Sequence, residues 1–153
     1  MVNFADALDT RNEDVKKPPV LPQGTYIWTV SKVPTISTTN SGEWDIVEFQ
    51  IRAVSAEADV DTDELDAYGS LNSAMNRISF MSPTDPAKSA DRDRALYRLK
   101  KFLTDTLRVD VSDNPSLKEM MAQSVNHQFL GQAVWRQVED ETYVDVKNLA
   151  PLD

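Results

Sequence analysis

Polar and apolar positions alternate most legibly between Gly24 and Val54. Two arms rich in β-branched and aromatic residues flank a polar tip, Ser37-Thr38-Thr39-Asn40-Ser41-Gly42, and this pattern predicts a long antiparallel hairpin. In the second arm Val47, Phe49, Ile51 and Ala53 share one face, and Trp44, Ile46, Glu48, Gln50 and Arg52 share the other. The first set is the expected core face. In the first arm, Tyr26, Trp28 and Val30 are assigned inward. Asn76 to Met81 resumes the strand pattern, with Ile78 and Phe80 opposite Arg77, Ser79 and Met81, and Ser82-Pro83-Thr84-Asp85-Pro86 ends it.

From Ala87 to Leu107 the period becomes helical, and Ala95, Leu96, Leu99, Phe102, Leu103 and Leu107 form one apolar stripe with basic residues on its flanks. A second, shorter helix is expected with Asn114 as its cap and Pro115 at its first position, carrying Leu117, Met120, Met121 and Val125. Gly131 then opens a strand, Glu139-Asp140-Glu141 turns, and Thr142 to Leu149 closes a final hairpin. Three strands, a helical insertion over 87–126 and two more strands give a mainly β chain. That order matches a five-stranded OB-fold-like Greek-key barrel, and split α+β sandwiches share it in part. Residues 1–22 read as an N-terminal arm ahead of a domain over 23–153. Phe4, Ala5, Ala7 and Leu8 can form a short amphipathic turn, the stretch from Arg11 to Lys17 is charged, and Pro18, Pro19 and Pro22 enforce an extended path. The arm is either partly ordered or docked on a neighbouring subunit.

The 153 residues suit one domain, and their 41% hydrophobic content supports a core. There is no cysteine, no apolar run of membrane-spanning length and no signal-peptide pattern, so a cytoplasmic protein without disulfides is expected. The net charge of −9 argues against a nucleic-acid partner until its distribution is considered. Glu57, Asp59, Asp61, Asp63, Glu64 and Asp66 crowd a span without Lys or Arg, whereas Lys88, Arg92, Arg94, Arg98, Lys100, Lys101 and Arg108 cluster later. The acidic stretch over 55–73 is expected to be a solvated connecting loop. Its Asp59, Asp61 and Asp63 have the spacing of a calcium loop, but Glu64 stands where such a loop needs Gly, and Ser70 where it needs a bidentate carboxylate. No metal or cofactor is therefore expected. His127 has no partner motif, and no nucleophile, phosphate loop or metal-ligand pair on a helix points to an enzyme.

Binding of single strands without sequence preference needs aromatic rings for bases and cations for phosphates. The expected outward faces supply Trp44, Arg52, Arg77, Trp135 or Arg136 according to register, Tyr143 and Lys147, with Lys32 in the first arm; all eight are candidate nucleic-acid-binding residues. The basic helix is a rival site. Several stretches carry a resemblance: Leu-Pro-Gln-Gly-Thr-Tyr, Asn-Ser-Gly-Glu-Trp followed by Val-Glu-Phe-Gln-Ile, Leu-Lys-Lys-Phe-Leu, Phe-Leu-Gly-Gln-Ala-Val and the closing Tyr-Val-Asp-Val-Lys-Asn-Leu-Ala-Pro. Together, from about Leu21 to Pro151, they resemble phage-encoded OB-fold single-stranded DNA-binding proteins and related uncharacterised phage proteins. The resemblance implies a protein that coats single-stranded DNA in phage replication and recombination, with replication or recombination proteins and further copies of itself as partners. The closing Ala150-Pro151-Leu152-Asp153 departs from the acidic tail with a terminal aromatic residue that such proteins often carry. An acidic DNA mimic that occupies a host protein, or a structural or assembly protein, is the alternative.

Overall fold

The computed structural model describes residues 3–152; Met1, Val2 and Asp153, at the ends of the expected arm and tail, lie outside them. The chain is mainly β, with six strands in one antiparallel sheet. They are β1 (Gly24–Val30), β2 (Thr35–Thr38), β3 (Trp44–Ala56), β4 (Met75–Pro83), β5 (Gln128–Val138) and β6 (Glu141–Pro151). The order is β2-β3-β1-β5-β6, with β4 on β3 as well. This differs from the five strands expected. The cause lies in the first arm of the hairpin, where Pro34 has no N–H to give to a ladder. The arm therefore breaks after Val30 and resumes at Thr35, and β1 and β2 occupy successive lengths of the same β3 edge. Ser31 bridges the break, its N–H and its hydroxyl both donating to the Gln50 carbonyl.

The expected inward sets are the observed ones: Tyr26, Trp28, Val30, Phe49, Ile51 and Ala53 are buried, and Val47 packs partly buried against them. A bulge at Val54 shifts the β1–β3 register between Ile27 and Trp28, so Tyr26 pairs with Ala56 while Trp28 pairs with Ala53. Both rings stay inside, and Val54 is exposed. Burial raises the Tyr26 phenol to a pKa of about 12, and its hydroxyl donates to the Pro22 carbonyl at 2.7 Å. Gly131 is required by a close approach. The Trp28 Nε1–H donates to its carbonyl at 3.0 Å, and a Cβ there would meet the Val146 Cγ1 at 2.7 Å.

After the short helices α1 (Phe4–Ala7) and α2 (Thr62–Tyr68), the expected long helix is α3 (Ser89–Lys101), continued by a π-helical turn, Phe102–Thr106. The wider turn brings Phe102, Leu103 and Leu107 into the core with Ala95 and Leu99, while Leu96 stays exposed. Phe102 stands within 5.0 to 5.6 Å of the rings of Phe49, Phe80 and Phe129, meeting Phe49 and Phe129 edge on. The shorter helix, Leu117–Gln123, is capped by Ser116, whose hydroxyl accepts from the Glu119 N–H. The expected cap, Asn114, instead takes a positive φ two residues earlier, in the turn before Pro115.

The acidic stretch is not a plain loop. It holds the short helix Thr62–Tyr68, capped by the Asp61 carboxylate, and Val60 is buried. Asp59 ties it to the start of β1 by accepting from the Thr25 N–H at 2.9 Å and from the Thr25 hydroxyl at 2.8 Å. Asp59 and Asp61 are thereby committed to local structure. No described helix is long and apolar enough to cross a membrane.

Truncating Phe102 removes the ring shared by three others, so Phe102→Ala should lower unfolding stability by about 3–5 kcal/mol in urea titrations. Leu96→Ala, on the exposed flank of α3, should change it by less than about 0.5 kcal/mol. A pH test addresses the acidic segment. The Thr25 bonds hold the Asp59 carboxyl below its ordinary range, so its contribution is present above the unfolded value of about 3.9 and is lost as pH falls through the folded one. Asp59→Asn should therefore melt below wild type at pH 7, and the gap should close as both are acidified below about pH 4.

Candidate nucleic-acid interface

Residues directly opposite in an antiparallel ladder share a face, so strand register decides which candidates meet. Along β3 the outward residues Trp44, Ile46, Glu48, Gln50 and Arg52 stand opposite Pro83, Met81, Ser79, Arg77 and Met75 of β4. On the other edge of β3, Thr35 faces Glu48 and Thr29 faces Arg52. This outer surface holds a groove of about 440 Å³ lined by Lys32, Thr35, Glu48, Gln50, Met75, Asn76 and Arg77. Four of the eight candidates, Lys32, Trp44, Arg52 and Arg77, are thus on the β1–β3–β4 side of the molecule. Arg77 stands 3.7 Å from the Glu48 carboxylate. Lys32 and Arg52 take part in no ion pair among the described residues.

Trp44 begins β3 at a turn that is itself hydrogen-bonded. The Thr39 N–H donates to the Trp44 carbonyl at 2.9 Å, the Gly42 N–H to the Thr39 carbonyl at 2.8 Å, and the Thr84 hydroxyl to the Gly42 carbonyl at 2.6 Å. The indole is 39% exposed. It walls a cleft of about 320 Å³ with Met81, Pro83, Lys88, Asp91, Arg94 and Arg98. A second cleft of about 290 Å³, on Gly42, Glu43, Pro83, Thr84, Asp85 and Lys88, shares the same indole. Arg94 is held at 2.8 Å by Asp91, one turn before it, while Lys88 and Arg98 make no ion pair among the described residues. An aromatic ring and three cations thus converge where only Thr84 to Lys88 separate β4 from α3. Lys88, Arg94 and Arg98 lie outside the eight candidates and come from the basic cluster that the sequence offers as a rival site. The β3–β4 register brings the two together: Trp44 pairs with Pro83 at the end of β4, so the short link after Pro83 delivers the basic helix to that ring.

The other candidates lie elsewhere. Arg136 and Tyr143 are ladder partners on the outer face of β5–β6, and the guanidinium sits 5.0 Å from the ring centroid. Arg136 Nε donates to Asp145 at 2.9 Å; that bond raises the guanidinium pKa further and occupies the cation. Lys147 faces Gln132 on the same hairpin. Two strands, β1 and β5, separate β6 from β3. Trp135 points the opposite way from Arg136, with the register of Ala133 and Gly131. Its Nε1–H donates to the Leu21 carbonyl at 2.8 Å, and its backbone N–H donates to the Gln23 amide oxygen at 2.8 Å. The ring is 40% exposed, yet it fastens the segment before β1. His127 takes part through its backbone, its N–H donating to the Ser124 carbonyl and its own carbonyl accepting from the Val30 N–H.

No group of three or more metal-ligating side chains exists among the described residues. Compared with known proteins, the chain matches no family model and no curated relative.

Because the Trp135 indole holds Leu21, Trp135→Phe should keep the ring's packing and leave the Leu21 carbonyl without its donor. A loss of about 1–3 kcal/mol in urea unfolding is expected, the cost of an unsatisfied polar group. Oligonucleotide affinity should not change.

Proposed function

We propose that this protein binds single-stranded DNA without sequence preference. The observation that carries the reading is the exposed Trp44 indole sharing one cleft with Lys88, Arg94 and Arg98, at the end of an outer strand face that also bears Lys32, Arg77 and Arg52. A base stacked on the indole places its flanking phosphates near the α3 cations. From Trp44 to Arg52 the same β3 face runs about 26 Å at strand rise, enough for several nucleotides. Ring faces are hidden in a duplex, so single strands are favoured.

The finer fold reading is a Greek-key barrel of OB type. Two features support it. β1 and β2 lie end to end along one edge of β3, as two lengths of one interrupted strand would. The Asn76 side-chain amide also donates to the Val144 carbonyl at 2.8 Å, bringing β4 to β6 from separate parts of the sheet. In such barrels the face formed by the second and third strands takes single strands, and here these are β3 and β4. Action in phage replication and recombination, in a host cytoplasm, is what the sequence resemblance adds to this reading.

Titration with oligonucleotides at several salt concentrations, followed by Trp emission, tests the proposal. Trp28 is buried and Trp135 is tethered, so quenching should report mainly on Trp44. Trp44→Ala should weaken binding by about 1–3 kcal/mol and leave the salt slope nearly unchanged. Arg94→Gln with Arg98→Gln should reduce the magnitude of the slope by about 1.4, roughly 0.7 for each phosphate no longer neutralised. Lys147→Gln should alter neither. Absence of quenching and of salt dependence in the wild type would overturn the reading and favour an acidic mimic or an assembly protein.

A further inference from the structure

One aromatic ring of α3 has no part in the core. Tyr97 is 59% exposed and lies outside the buried cluster. Helix formation gives no reason for it either, since its neighbours Ala95, Leu96, Arg98 and Lys100 are all better helix formers. The helical repeat decides what surrounds the ring. Arg94 stands one turn before both Tyr97 and Arg98, and Lys101 one turn after both, so the four side chains form a single patch. Arg94 and Arg98 also line the Trp44 cleft. The patch therefore continues that cleft onto the solvent side of the helix, and from Arg94 to Lys101 it extends roughly 10 Å along the axis.

The ring is held from one side. The Lys101 ammonium lies 5.9 Å from its centroid, within range of cation–π attraction, and Asp105 fixes that ammonium at 2.6 Å. A side chain already ordered by its neighbours loses less freedom when a ligand stacks on it. Cations outnumber acids around it: Ser89–Lys101 carries Arg92, Arg94, Arg98, Lys100 and Lys101 against Asp91 and Asp93, a net +3 in a chain of net −9. The nearby acids are engaged, Asp91 by Arg94 at 2.8 Å, Asp93 by Arg92 at 3.5 Å and Asp105 by Lys101, whereas Arg98 and Lys100 make no ion pair among the described residues. Tyr143 is held by Arg136 in a similar way, but two strands separate its hairpin from β3. We propose that Tyr97 is a second stacking ring for single-stranded DNA, taking a base beyond the one on Trp44. The inference rests on the reading of the Trp44 cleft as a strand-binding site and carries the strand from that cleft onto α3. The phosphate between the two stacked bases lies against Arg98, the cation that belongs to both cleft and patch and has no carboxylate partner. Lys101 is a positioning residue that sets the ring.

Binding of labelled oligothymidylates of increasing length to the full chain, followed by fluorescence anisotropy, tests this. Tyr97→Ala should weaken binding of a strand of about ten nucleotides by about fivefold or more, the loss of one stacked base. Its salt slope should not change, because no phosphate contact is removed. A strand of about three nucleotides, which covers the Trp44 cleft alone, should bind the variant as it binds the wild type. Tyr97→Phe keeps the ring and should keep the affinity for both lengths. Tyr97 is exposed and Ala suits a helix, so thermal melts of the variant should match the wild type. A direct reporter comes from combining Trp44→Phe, which leaves a ring to stack on, with Tyr97→Trp. Emission from the relocated indole should be quenched by the longer strand. A wild type that binds no strand would overturn the cleft reading and this inference together. If Trp44 is quenched in the wild type while Tyr97→Ala binds every length unchanged, or the relocated indole is not quenched, this inference alone falls and an acidic protein surface becomes the better occupant of the patch.

Discussion

The contact of Phe102 with Phe49, Phe80 and Phe129 fixes where the helical insertion stands against the sheet. Its four rings come from β3, β4, the end of α3 and β5, so a single cluster clamps the helical insertion to the sheet. Edge-on ring contacts favour particular angles as well as burial, which makes the clamp directional. The π-helical turn starting at Phe102 is part of this. At its end the Leu107 N–H reaches the Phe102 carbonyl at 2.9 Å, and the widened turn lets Phe102, Leu103 and Leu107 all point inward. With the C-terminal end of the helix fixed in this way and its N-terminal end tied by the short link from β4, the remaining side chains of α3 have no choice of neighbour. Lys88, Arg94 and Arg98 arrive beside Trp44 as a result of core packing.

A protein of net charge −9 can still hold an anion if its charges are far enough apart. The acidic segment is fastened by Asp59 to Thr25, near the Ala56 end of β3, while Trp44 begins the same strand. Those ends are about 40 Å apart at strand rise. At physiological ionic strength screening acts over about 8 Å, so exposed acids at one end contribute little at the other. The local opponents are Asp91, which holds Arg94, Glu48 beside Arg77, and Glu43 and Asp85 in the second cleft on the indole. Both cations are exposed, and such surface pairs are weak enough for a phosphate to compete with the carboxylate.

How much of this is legible in the sequence depends on whether neighbours along the chain or neighbours in space set the outcome. The inward positions of Tyr26, Trp28, Phe49 and Ile51 follow from period-2 alternation, because burial on one face enforces it. The break at Pro34 and the bulge at Val54 do not, since alternation shows the faces and hides the ladder. The cap of the last helix falls two residues from its expected place because Asn114 and Ser116 are both good caps flanking Pro115, and only the Glu119 N–H chooses between them. In the acidic stretch, charge density points to a hydrated loop, yet Asp61 and Asp59 commit their carboxylates to a helix cap and to Thr25, which composition cannot show. For the candidate site, Trp44, Lys32, Arg52 and Arg77 share one side because they are tied to one hairpin and its partner. Arg136, Tyr143 and Lys147 belong to another hairpin, and no pattern within either reveals how many strands lie between them.

The helical period gives α3 two working flanks. Asp91, Arg94 and Arg98 recur at intervals of three and four on the side of Trp44, while Arg92, Ala95, Leu96 and Leu99 recur in the same way on the side of the apolar groove. Side chains at such spacings stand one above another, so the two surfaces share a backbone without sharing these residues. One flank offers exposed charge and a ring, whose contacts weaken as salt rises. The other offers apolar area from Val47, Phe80, Leu96 and Leu99 together with the charged Asp45, Asp85 and Arg92. Both depend on Phe102, because the ring that seats the helix seats both flanks. A change in the core therefore moves both flanks together, and only substitutions on the flanks themselves leave the aromatic clamp intact.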